Sequence, residues 1–93
     1  MNDEIERGRQ AASILNHALV KEVFDVLEKA CWEEWKGAAS SNTEAREHIY
    51  RLMWASVQFR NAFEKIILEG EQAAKVAASI EKHRSQLKRI QNA

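Results

Sequence analysis

The chain has 93 residues, 45% of them hydrophobic and 30% charged, with 14 basic and 14 acidic side chains and a formal net charge of zero. That length holds one small domain with a marginal core, and the even balance excludes a uniformly cationic nucleic-acid binder. With no proline, three glycines and a single cysteine, Cys31, a turn-rich all-β fold and a disulfide-stapled fold are both excluded.

The first predicted element is a helix over roughly residues 3–15, capped by Asn2 or Asp3, with Asp3, Glu4 and Glu6 at its positive end. Ile5, Ala11 or Ala12, and Leu15 mark its buried side. Gly8 lies inside it at a cost of about 1 kcal/mol against alanine, so it marks either a close backbone approach or a frayed start. Asn16 breaks the pattern and is expected to cap a second helix from His17 or Ala18 to Lys36. Its apolar set is Val20, Val23, Phe24, Leu27, Ala30, Cys31 and Trp35. Gly37 is expected to stop it in the left-handed conformation.

Residues 37–43 read as the one loop. Ser41 and Glu44 have capping-box spacing, with Asn42 and Thr43 as alternative caps. A third helix starts near Thr43. Its positions Leu52, Ser56, Phe59, Phe63, Ile66, Gly70, Ala73, Ala77, Ile80, Arg84 and Leu87 alternate by four and three, a heptad-like seam. Two architectures fit. Gly70 ends the helix and residues 71–93 form a fourth, or the helix continues as one rod of roughly 70 Å at 1.5 Å per residue. Glu69-Gly70-Glu71-Gln72 lacks a proline or loop cluster, which favours continuity. The domain division is then 1–70 for a small helical domain and 71–93 for a basic extension.

Charge is uneven along the chain. Residues 1–43 carry five bases and eight acids, residues 44–74 four and five, and residues 75–93 five and one. The cations of the last segment, Lys75, Lys82, Arg84, Lys88 and Arg89, suit weak contact with phosphates or an acidic protein face. The alternative is that they complement a helix C-terminus. The tail has no aromatic residue for base stacking.

Chemistry-bearing patterns are absent. His17, His48 and His83 lack metal-ligand spacing, Cys31 has no sequence partner, and there is no phosphate loop, nucleophile elbow or HExxH. The expectation is no enzyme, no metal and no cofactor. Cys31 reads as a small buried hydrophobe. Trp32 and Trp35 cannot share one core line, so at least one of Trp32, Trp35 and Trp54 is expected to be partly exposed. No apolar run approaches the roughly 18 residues of a membrane span, and no signal-peptide pattern opens the chain. The expected setting is therefore soluble and cytoplasmic.

The strongest functional feature is the small-residue patch of Gly70, Ala73, Ala74 and Ala77, continued by Ile80 and Leu87. Bulky residues flank it on both sides, so it admits a helix at close range. That helix comes either from another chain or from this chain's own first or second helix.

The run Gly8-Arg9-Gln10-Ala11-Ala12-Ser13-Ile14-Leu15-Asn16, then Glu22-Val23-Phe24, Leu27-Glu28 and Trp35, resembles a group of short proteins encoded by tailed bacteriophages and prophages. Ala45-Arg46-Glu47, Glu64 and Gly70-Glu71-Gln72-Ala73 extend the likeness over most of residues 8–74. The resemblance implies a structural, packaging or accessory role among virion-assembly proteins, in the host cytoplasm or on the virion, and transfers no catalytic residue.

Together these readings predict an all-α fold: two short antiparallel helices packed against the first half of a long third helix, with a coiled-coil-like C-terminal extension. Val23, Phe24, Leu27, Phe59, Phe63 and Ile66 would hold the domain, and Gly70, Ala73, Ala74, Ala77, Ile80 and Leu87 a protein partner. The expected function is non-enzymatic assembly, with itself as a homo-oligomer or with a virion or packaging component. The alternatives are a nucleic-acid-binding packaging or regulatory subunit working through the tail, and an inhibitor that docks on a host protein.

Overall fold

A computed structural model describes residues 2–92. It contains three helices: α1 (Asn2–Leu15), α2 (Ala18–Gly37) and α3 (Thr43–Asn92). There is no strand among the described residues. α3 passes through Gly70 without interruption, so no fourth helix begins there and residue 70 is not a boundary. Its 50 residues amount to about 75 Å of helix, and they set the shape of the molecule, 77 × 24 × 17 Å.

α1 and α2 both run antiparallel to α3 and lie end to end along it. Going up α2, Phe24 meets Phe59 and Arg60, and Trp35 meets Arg46. Going up α1, Glu4 and Gly8 meet Gly70 and Ile66. The fold is therefore a hairpin with one broken arm. This corrects the expected placement of both short helices on the first half of α3, because α1 crosses its second half. The reason is the pair of glycines. A Cβ built on Gly8 would stand 2.9 Å from the Gly70 Cα. Only two glycines allow backbones that close, so the register of α1 on α3 is set there.

The core is thin. Ala11, Phe24, Cys31, Ile49 and Ala73 are its buried apolar residues. Ile5, Ala12, Leu15, Val20, Trp35, Ser56, Phe63, Ile66 and Ile67 are half-buried around them. Of the residues expected to hold the domain, Phe24, Phe63 and Ile66 do so. Val23 and Phe59 are each 59% exposed and Leu27 39%, because the apolar stripe on each helix is wider than the strip its neighbour covers.

Two local expectations are corrected, and the cap of α3 is resolved among those expected. Asn16 continues the end of α1, its N–H bonding to the Ala12 carbonyl, and His17 is the cap instead. His17 is extended (φ −65°, ψ 129°), and its Nδ1 accepts from the Leu19 N–H. Gly37 stays helical, with no positive φ, and Ala38 turns the chain out at φ −77°, ψ 129°. Arg46 stabilises that exit. It stacks 4.5 Å over the Trp35 ring and donates to the Ala38 carbonyl. At the start of α3, Asn42 is the cap, its Oδ1 accepting from the Ala45 N–H at 3.2 Å. Asn42→Ala should lower stability by about 1 kcal/mol, read as the denaturation midpoint. Asn42→Asp should retain it, which ties the loss to the cap.

Candidate functional site

The small-residue patch is divided by the fold. Gly70 and Ala73 are buried under α1, Ala77 is half-buried, and Ala74 lies at the exposed edge of the crossing. The first part of the expected partner surface is thus filled by the chain's own first helix. Ile80 and Leu87 lie beyond the reach of α1 and are exposed.

A second surface, missed by the sequence reading, takes the place of the first. Among the described residues, seventeen large apolar side chains are exposed, against the five buried apolar residues of the core. On α3 many of them fall on one line. Leu52, Ala55, Phe59, Ala62, Ile66, Glu69, Ala73, Val76, Ile80, His83, Leu87 and Ile90 recur in steps of three and four, with Ile66 half-buried and Ala73 already buried under α1. This is a heptad seam of the a/d type, and only Glu69 and His83 interrupt it with polar groups. It shares Leu52, Phe59, Ile66, Ala73, Ile80 and Leu87 with the expected seam. The alternate positions differ. Ser56, Phe63, Gly70 and Ala77 turn toward α1 and α2, whereas Ala55, Ala62, Val76 and Ile90 turn away from them and are exposed. The sequence signal was present, since one set of residues begins both seams and only the second step of each heptad tells them apart.

α2 adds a parallel stripe. Leu19, Val23, Val26 and Ala30 are spaced by four, three and four, and all are exposed. At 100° per residue, this stripe is displaced from the Phe24–Cys31 line in the same rotational sense as the second α3 seam is displaced from its buried line. In an antiparallel pair, equal displacements bring two stripes onto the same broad face. That face of the hairpin is apolar. The opposite face carries more charge, with Lys21, Asp25, Arg60 and Glu64 lining one shallow depression and Glu28 pairing with Arg60 at 3.3 Å, although Trp32, Met53 and Val57 are exposed on it as well.

The basic tail is fully outside the hairpin. Lys75, Lys82, Arg84, Lys88 and Arg89 are all exposed, and Arg84 reaches Glu81 at 3.6 Å. Lys75, Lys82 and Arg89 are seven residues apart and share a line on the side away from Ile80, Leu87 and Ile90. The tail is therefore amphipathic, with these three cations on the side opposite the apolar seam.

Among the described residues, no three His, Cys, Asp or Glu side chains gather as metal ligands would. Cys31 is buried between α2 and α3, with Leu27, Met53 and Ser56 nearby. Trp32 and Trp54 are exposed and Trp35 is half-buried. No described helix is long and apolar enough to cross a membrane. The chain matches no protein-family model, no curated protein and no solved structure.

Proposed function

We propose that this protein is a non-enzymatic helical assembly module of a tailed phage or prophage, working by burial of its apolar face in a larger body. The phage setting rests on the sequence resemblance. The assembly role rests on one observation: a rod whose exposed large apolar side chains outnumber its buried core more than threefold. Contiguous exposed apolar surface of that extent marks an interaction site in a folded protein. The partner is another copy or a virion or packaging component.

The test is the native mass of the purified chain between about 1 and 200 µM, a span that brackets micromolar association, together with binding of an apolar dye. Self-association, or a monomer that binds dye along an open face, supports the reading. A monomer at every concentration that binds no dye sinks it.

A second reading is favoured by the tail alone, namely weak contact with nucleic-acid phosphates in a packaging role. Retention should then fall steeply with salt, by a slope of about 1 per contacting cation, and be indifferent to sequence. Changing Lys82, Arg84, Lys88 and Arg89 together to glutamine should abolish it while circular dichroism stays unchanged. No retention of the unaltered protein at about 50 mM salt, where such contacts are strong, ends this reading.

A further inference from the structure

We propose that the apolar face is covered by a second copy of this chain, its α3 antiparallel to the first, so that two hairpins close into a two-fold symmetric bundle. The inference rests on the assembly reading and names its partner.

Surface area is the first argument. The accessible surface is 7690 Å² for a 10.7 kDa chain, where a compact monomer of that mass exposes about 5,500 Å². The radius of gyration is 21.8 Å, against about 12 Å for a compact domain of this length. The excess of roughly 2,200 Å² is of the size that each subunit of an obligate homodimer buries. A small or peripheral partner would leave most of it wet.

The seam itself is the second argument. An antiparallel coiled coil sets a positions beside d positions of the partner. Centred near residue 71, the seam sets Leu52 beside the partner's Ile90, Ala55 beside the partner's Leu87, and Ala62 beside the partner's Ile80. Phe59 then meets the partner's His83 and Ile66 the partner's Val76, while the central Glu69–Ala73 layer is left out of the interface because α1 already buries Ala73. Large residues meet small ones in two of these layers, which is how facing positions interdigitate. Almost the whole of both α3 helices overlaps. A parallel pair would set Glu69 against the partner's Glu69 and His83 against the partner's His83, with two basic tails side by side.

Charge is the third argument. In the antiparallel pairing, the tail of one copy lies along the trough between α2 and α3 of the other, against the Leu19–Ala30 stripe. The tail carries five cations and one acid. α2 carries Glu22, Asp25, Glu28, Glu33 and Glu34 against three lysines. The net charges of the two elements are therefore opposite, and the reverse orientation would instead set two basic tails side by side.

Single-cysteine chains test the arrangement. In a Cys31→Ala background, Ala62→Cys and Ile80→Cys are made separately, and each is oxidised with glutathione alone and mixed. Disulfide-linked dimer in the mixture and in neither variant alone is the expected result. Cross-linking of each variant alone would show a parallel pair and overturn the proposal. Sedimentation equilibrium supplies the second readout. The unaltered chain should have twice the chain mass at low micromolar concentration, and Ile80→Glu with Leu87→Glu should weaken association by about 100-fold or more. Leu68→Glu, at a residue still more exposed but off the seam, should not. Both altered residues lie outside the monomer core, so circular dichroism should retain the three helices. A monomer at about 100 µM that still binds apolar dye would overturn the dimer and leave the assembly reading standing. A monomer without dye binding would end both.

Discussion

Gly70→Leu should lower the thermal midpoint by more than about 10 °C, close to 3 kcal/mol in a domain of this size. By helix propensity alone the change is favourable, since leucine exceeds glycine by nearly 1 kcal/mol in a helix interior. Packing reverses the sign. A Cβ on Gly70 would stand 2.9 Å from the Glu4 carbonyl oxygen and 2.9 Å from the Gly8 Cα. Both are backbone atoms of α1, so relief requires α1 to lift as a body. α1 has 14 residues, and a helix that short is marginal in water without a neighbour. Circular dichroism should therefore lose ellipticity equivalent to about one short helix in addition to the lower midpoint. Gly37→Ala gives the opposite outcome. Nothing lies within 4 Å of its Cβ direction, and the backbone there is already helical, so a gain of about 0.5–1 kcal/mol is expected. If Gly70→Leu proved as stable as Gly37→Ala, the crossing of α1 over α3 at Gly70 would be refuted.

Much of this architecture was legible in the residues because it is local. The three apolar periodicities, the loop at 37–43 and the lack of a proline near Gly70 all act within a turn or two of the chain. Their consequences, three helices and an uninterrupted α3, follow directly. The close approach of Gly8 to Gly70 was legible only in halves. Each glycine was conspicuous as an expense inside a helix, but nothing in a linear pattern says that one expense explains the other. The caps show the same limit at short range. Asn16 outranks His17 as an intrinsic cap, yet the Asn16 N–H completes a bond to the Ala12 carbonyl, and the chain leaves α1 one residue too late for asparagine to serve.

The candidate surface was partly legible for a different reason. An apolar stripe read from sequence has a direction but no width, and a helix in a two-helix hairpin covers only part of a wide stripe. Ile80 and Leu87 were read as partner-facing and lie uncovered. Gly70 and Ala73 were read the same way and are covered by α1. Which half a neighbouring helix takes depends on the hand of the packing and on where the glycines let it sit. Val23 and Phe59, expected in the core, illustrate the other side of this division, lying on the uncovered half of their stripes.

Phe24→Ala should cost about 3 kcal/mol, the low end for deleting a buried aromatic ring. Phe24 is 8% exposed and is the largest side chain of the core. Its ring meets Phe59 at 6.1 Å between centroids, tilted by 47°, and the Arg60 guanidinium lies 4.6 Å from its centre. The ring therefore joins α2 to α3 through three contacts at once: burial, an aromatic pair and a cation held against its face. The low end applies because Phe59 is largely exposed and can fold into part of the space. The Glu28–Arg60 ion pair is exposed on both sides, so Glu28→Gln should cost well under about 1 kcal/mol. Val23→Ala provides the informative contrast. One residue earlier on α2, Val23 is exposed in the single chain, and its loss should be nearly silent in a monomer. Where a second copy covers the Leu19–Ala30 stripe, the cost should emerge at high protein concentration and vanish on dilution, because only the associated state buries it. The cost of Phe24→Ala should persist at every concentration. Equal, concentration-independent losses for both variants would mean that Val23 belongs to the same monomer core as Phe24, and that α2 turns a different face toward α3.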